Sequence, residues 1–189
     1  MNKKNNLFII SGPSGVGEDS VIFGLKKCLD IKKIITTTTR KIRSNETEGK
    51  EYYFISKQEF KKGIANNEFF EYAEEDNAQF YGVKNKEIKN AFNSEKIGIW
   101  KIDYKGVITA KKLMPQIIAI LILPPSLKTL EKRLSKRGET KEFIKQRIDY
   151  AKGWLEYKNI FDYQIINREN RLAETVKKVK KIILNNIDK

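Results

Sequence analysis

Residues 7–21 read LFIISGPSGVGEDSV. Four apolar residues, Leu7 to Ile10, run into a Gly/Pro/Ser loop, and the loop runs into Val21, Ile22 and Leu25 at helical spacing. The stretch predicts strand, loop and helix in succession. In a phosphate-binding loop of the form G-x-x-x-x-G-K-[ST], glycines let consecutive backbone N–H groups converge on phosphate oxygens at a helix N-terminus, where the helix dipole adds to the attraction. Gly12, Gly15 and Gly17 supply that frame, with Pro13, Ser14 and Val16 between them. The charged end departs from it: Glu18 stands where the lysine belongs and Asp19 where the magnesium-binding hydroxyl belongs, with Ser20 one place later. A carboxylate facing a triphosphate repels it, by several kcal/mol, roughly, at an effective dielectric near 20. The backbone match is good and the electrostatic match poor, so taken alone the loop reads equally well as a plain strand-to-helix connection.

The rest of the composition narrows the field. A chain of 189 residues with 40% hydrophobic and 33% charged residues suits one well-packed core, or a core with a small insertion. No apolar run approaches the ~20 residues of a membrane helix, and the apolar segment ending at Ile10 is too short for a secretory signal. The expected location is the cytoplasm. The single cysteine, Cys28, cannot form an intrachain disulfide, and the absence of histidine excludes His-based acid–base chemistry and His-ligated metals. The net charge of +14 is attractive to polyanions. Most of it, however, is lysine scattered over predicted helix faces, so a nucleic-acid partner is not expected. Arginine is the informative cation. It occurs only at 40, 43, 133, 137, 147, 168 and 171, against 31 lysines, and its planar fork grips phosphate bidentately.

Along the chain, β-branched residues predict a strand over Ile34 to Thr39, a polar loop follows over 40–49, and Tyr52 to Ile55 resumes strand character. Ser56 and Glu59 form a capping box that starts a helix to about Asn66. Phe69 to Ala73 reads as a strand and Tyr81-Gly82-Val83 as a turn before a helix over 84–93. From there strands (97–103, 117–123, 163–166) alternate with helices (105–113, a helix carrying Leu127, Leu130 and Leu134, 140–157, and the C-terminal segment). This is the pattern of a doubly wound α/β fold with a parallel sheet, in which ligands bind beyond the strand C-termini. The portion 36–84, lacking that rhythm, reads as a small α+β insertion, leaving 1–35 and 85–189 as the core.

A second chemical stretch is TTTRKIRSNETEGKEYYF, residues 37–54, with Arg40 and Arg43 three apart beside Thr37, Glu46 and Tyr52. It is similar to the acceptor-site pattern S-x-T-R-x-x-R-x-x-E-x-x-G-x-x-Y-x-F of the guanylate kinase family. The resemblance continues in order through NNEFFEYA (66–73), FYG (80–82), ID-x-x-GV (102–107), LPPS-x-x-x-L-x-x-RL-x-x-RG (123–138), I-x-x-R (144–147) and IIN (165–167), nearly the whole chain. It implies a P-loop kinase-type fold with a helical lid near 134–150, ATP and Mg²⁺ as cofactors, and GMP and ATP as partners of a monomer or homodimer. It implies that Arg40, Arg43 and Tyr52 hold the GMP phosphate with Glu46 and Tyr81 beside them. Glu71 would read guanine N1 and N2, and Thr37 its O6, with Asp103 completing the GMP site. Arg133, Arg137 and Arg147 would spread over the ATP phosphates, residues 12–17 with Asp19 and Ser20 would cradle them, Asn167 would touch adenine and Ser20 would face Mg²⁺.

Four positions depart from the resemblance: Glu18 for the loop lysine, Val83 for a hydroxyl, Lys101 for an acid two before Asp103, and Trp154 for a glutamate. Lys101 and Asp103 share one side of a predicted strand that ends near the loop, so Lys101 is the expected replacement for the missing ammonium. The alternative is a decayed loop. Three functions follow: transfer of phosphate from ATP to GMP, a guanylate-kinase-like binding module without turnover, or a kinase of another phosphorylated acceptor such as ribose bisphosphate, to which Asp19-Ser20 is similar.

Overall fold

A computed structural model describes residues 6–44, 46–74 and 78–187; the outer ends of the expected core, 1–5 and 188–189, lie outside them. Its centre is β1 (Leu7–Ser11), wholly buried. Parallel to it on one side runs β7 (Ile97–Trp100) and then β2 (Ile31–Lys33), and on the other β8 (Ile118–Leu123) and then β9 (Tyr163–Ile166). The order is β2-β7-β1-β8-β9, all parallel. Strand alternation splits the apolar residues into two cores. Leu7, Ile9, Trp100, Ala119 and Leu121 face one way, toward α3 (Asn85–Phe92) and α4 (Tyr104–Leu113). Phe8, Ile10, Ile99, Ile120 and Ile122 face the other, toward α1 (Glu18–Lys26), α5 (Leu127–Lys136) and α7 (Leu172–Asn186). The long helix α6 (Lys141–Glu156) contributes Trp154 to the first core and Ile144 and Ala151 to the second. This is the P-loop kinase architecture, a parallel sheet covered on both faces.

A second sheet, β4-β3-β6-β5, is built from β3 (Thr36–Thr38), β4 (Tyr52–Phe54), β5 (Phe69–Glu74) and β6 (Phe80–Lys84), with α2 (Lys57–Ala65) beside it. The Ser56–Glu59 capping box is formed at the start of α2. Three details differ from the sequence reading. Tyr81-Gly82-Val83 is not a turn but the middle of β6, pairing antiparallel with both β3 and β5. Gly82 suits a crowded strand rather than a bend, since a Cβ there would lie 2.8 Å from the Glu71 carbonyl oxygen and the Tyr72 Cβ. Residues 31–33, to which the sequence pattern assigns no element, are an edge strand of the main sheet. The strand expected to reach Asp103 stops at Trp100, because the chain leaves the sheet and Asp103 caps α4, accepting from the Lys105 N–H at 2.7 Å. Among the described residues no helix is long and apolar enough to cross a membrane.

Candidate functional site

The loop after β1 is fixed by close packing. Ser11 donates its hydroxyl to the Ile102 carbonyl, tying the loop's entrance to the segment after β7. A Cβ on Gly12 would fall 2.3 Å from the Ile122 carbonyl oxygen, so no other residue fits. Gly15 and Gly17 take φ of 95° and 97°, in the left-handed region. The Val16 N–H donates to the Pro13 carbonyl at 3.2 Å. Helix α1 then starts at Gly17 without a side-chain cap, which leaves first-turn N–H groups without an intrahelical acceptor and open to an anion.

Arg133 and Asn167 fasten this loop from outside. The Val16 carbonyl accepts from Asn167 Nδ2 at 2.7 Å and from Arg133 Nη1 at 3.3 Å, and Arg133 Nη2 donates to the Asn167 carbonyl at 2.8 Å. Asn167 Oδ1 accepts from Thr175 at 3.0 Å. Expected at phosphate and adenine, these two side chains are spent on the loop itself, although both border a cavity of about 310 Å³ shared with Gly15, Gly17, Ser20 and Arg137. Pro13 borders neither cavity; it shapes the turn.

On the far side of the loop opens a cleft of about 680 Å³, and its opposite wall is the second sheet. Arg40 and Arg43 both line it, as do Glu46, Tyr52 and Tyr81. Arg40 makes a fork with Glu46, Nη2 to Oε1 at 2.7 Å and Nη1 to Oε2 at 2.9 Å, and lies 5.3 Å from the Tyr52 ring centre. The Arg43 N–H donates to the same carboxylate at 2.9 Å. Hydrogen bonding from Arg40 holds Glu46 below the usual carboxylate range. Two guanidinium groups and two phenols are thus held on one wall, facing the loop's glycines.

Deeper in the cleft Glu71 is only 5% exposed, and burial, with Asp103 nearby, pushes its carboxyl up to about 8. Thr37, expected at guanine O6, does not line the cleft; its neighbour Thr36 does. Thr36 pairs with Tyr52 and borders the cleft, whereas Thr37 pairs with Tyr53, is fully buried and has a hydroxyl without a partner among the described residues. Strand alternation makes the two positions opposite in facing. Asp103 borders the cleft, with Oδ1 capping α4 and Oδ2 accepting from the Tyr150 hydroxyl.

The loop end of the cleft carries the departures. Glu18 is half-buried, its Oε1 only 3.1 Å from the position of a Cβ on Gly12, and burial pushes its carboxyl up to about 8 against the pull of Lys101. Lys101 is not on β7, as expected, but on the segment after it. Its ammonium still arrives at the loop, 2.8 and 3.0 Å from the two Asp19 oxygens. Ser14, Ser20, Arg137 and Arg147 border the same space. Among the described residues no three of His, Cys, Asp and Glu cluster as a metal site; Asp19 and Ser20 are the oxygen donors at the loop's end.

Among the wall residues that escaped the sequence reading are Lys33, Thr36, Glu51, Lys105 and Tyr150. The run Ile31-Lys32-Lys33 has no apolar–polar alternation, so it gave no strand signal for the first. Nothing in the sequence marks Tyr150, which sits in an ordinary helical pattern.

A family model described as guanylate kinase matches residues 4–186. The chain is 41% identical over 187 residues to a guanylate kinase of Wigglesworthia glossinidia brevipalpis, covering 96% of this chain and 88% of that one. To one of Porphyromonas gingivalis it is 39% identical over 181 residues, covering 94% and 95%. The crystal structure of guanylate kinase from Anaplasma phagocytophilum superposes with a TM-score of 0.78 at 27% identity, covering 100% of this chain and 90% of that one.

Proposed function

The chain belongs to the guanylate kinase family, and from that premise we propose that it transfers the γ-phosphoryl group of ATP to the phosphate of GMP, giving ADP and GDP. One observation carries this reading: a single cleft has the Gly12–Ser20 loop on one side and Arg40, Arg43, Tyr52 and Tyr81 on the other, with Glu71 beyond them. Two phosphate sites face each other across it. In this reading GMP lies along the second sheet. Its phosphate takes the guanidinium forks and phenols, and Glu71 accepts from guanine N1–H and N2–H, a donor pair that adenine lacks. Thr36 faces O6. The ATP phosphates lie over the first turn of α1, and Arg137 and Arg147 reach in from α5 and α6 to neutralise charge between the nucleotides. Arg133 and Asn167 keep the loop in shape for them.

Phosphoryl transfer leaves the protein mainly alignment and charge stabilisation to supply, so no general base is needed. Mg²⁺ accompanying ATP would supply neutralisation of phosphate charge. Ser20 would offer it a protein oxygen at the loop's end. We assign 36–84 to GMP binding, 134–150 to a lid, and 1–35 with 85–189 to the core, in a cytoplasmic monomer or homodimer.

Glu18 favours a second reading, nucleotide binding without turnover. Purified protein with Mg-ATP and, separately, GMP, dGMP, AMP, UMP and ribose bisphosphate, followed by ADP release, tests both. Turnover with guanine nucleotides alone supports the kinase; GMP binding without ADP supports the binding module; turnover with ribose bisphosphate refutes both.

A further inference from the structure

The charge that the loop lacks is present a few ångströms away on a different element. Trp100 is the last residue of β7 and pairs beside Ile9 of β1, so the next residue, Lys101, leaves the sheet alongside the loop's own strand. Its side chain is 22% exposed and its ammonium is gripped by Asp19 in the first turn of α1, where an anion on that helix end would sit. Glu18, in the lysine position, folds back toward Gly12. Relative to the pattern described above, an acid and a lysine have changed places between the loop and the strand end.

We propose that Lys101 is the phosphate-binding ammonium of this loop, steered by Asp19 onto the β- and γ-phosphates of ATP: a relocated ammonium rather than a decayed site. The proposal deepens the kinase reading and rests on it. The geometry carries the assignment: the Lys101 ammonium already stands at the loop, on both Asp19 oxygens. The ammonium is also held in place before substrate arrives, which lowers the cost of ordering it at the phosphate.

The test uses the full chain and two readouts, turnover with Mg-ATP and GMP, and equilibrium binding of a fluorescent ATP analogue and of GMP. Lys101→Met is expected to lower kcat about 100-fold or more, as removal of one pre-organised donor does. It should weaken ATP binding about tenfold or more while leaving GMP affinity within about twofold. Lys101→Arg, which keeps a cation at Asp19, should retain ATP affinity and shows that the effect is charge and not folding. Glu18→Lys alone should raise kcat by no more than about threefold, because an ammonium is already there, and combined with Lys101→Met it should recover most of the lost turnover. Unchanged kcat and ATP affinity in Lys101→Met, or a large gain in Glu18→Lys alone, overturns the proposal. A wild-type protein that makes no GDP removes the kinase reading, yet the binding arm still decides the role of Lys101.

Discussion

GMP affinity should depend on pH through Glu71. The carboxyl is almost fully buried and is pushed up to about 8 by that burial and by Asp103, so in the free protein it is mostly protonated at neutral pH. Guanine offers two N–H donors, which bind a carboxylate and not a carboxylic acid on both oxygens. Binding must therefore strip the proton. One pH unit below an ionisation near 8 the apparent affinity is weaker than its high-pH limit by about tenfold, and two units below by about 100-fold. Isothermal titration of GMP from pH 6 to 9 measures this directly, and at pH 7 in buffers of different ionisation enthalpy it should detect the release of close to one proton. Glu71→Gln supplies the baseline: a neutral side chain with one acceptor should flatten the Glu71-dependent part of the profile. At pH 9 it should weaken GMP by about 2–4 kcal/mol, roughly 30- to 900-fold, for the lost charged hydrogen bonds. Equal affinities for GMP at pH 6 and 9, or a Gln variant that binds as well as the wild type at pH 9, would refute the reasoning.

Other outcomes follow from the same geometry. Thr36→Val should weaken GMP by about three- to tenfold, whereas Thr37→Val, which removes a buried hydroxyl without a partner among the described residues, should leave GMP binding alone and hold or raise the unfolding midpoint; the opposite pattern would return the base contact to Thr37. Asn167→Ala frees both the Val16 carbonyl and the Thr175 hydroxyl and should cost about 1–3 kcal/mol of stability by urea unfolding, with a rise in KM for ATP larger than that for GMP. Stability itself should fall as pH rises from about 5 to 8: Glu18 and Glu71 keep protons in the folded state, near 8, that the unfolded chain releases near 4.5, so the unfolded state gains with each step upward. Urea midpoints at pH 5, 6.5 and 8 check the sign, and Glu71→Gln should lessen the slope.

How much of this was legible in the sequence depends on what each residue's signal was. The parallel sheet was readable because β1 and β8 are near-continuous apolar runs, buried on both faces, and the capping box at Ser56 fixed the start of α2. Local pattern failed where tertiary packing decides. Gly82 reads as a turn residue, yet it is small because Tyr72 and the Glu71 backbone crowd it inside a sheet. Four consecutive threonines carry no internal mark of which faces inward; pairing with Tyr52 chooses Thr36. For Arg133 and Asn167 the residue types and the neighbourhood were legible but not the partner, because the Val16 carbonyl that engages both is distant in sequence.

The cleft also qualifies what the overall charge means. Of the side chains lining it, seven are lysine or arginine and six are aspartate or glutamate, so the net charge of +14 is not concentrated there but spread over the outer surface. Two of the cleft's cations are held by acids before any phosphate arrives: Arg40 by Glu46, Lys101 by Asp19. A cation fixed in this way is already partly desolvated and oriented, which favours a phosphate over loosely hydrated lysines elsewhere. Screening follows the same division. Salt weakens the attraction between surface lysines and polyanions within a Debye length of about 8–10 Å, whereas enclosed pairs are screened much less. Raising ionic strength should therefore abolish adventitious binding of nucleic acid well before it impairs nucleotide binding in the cleft.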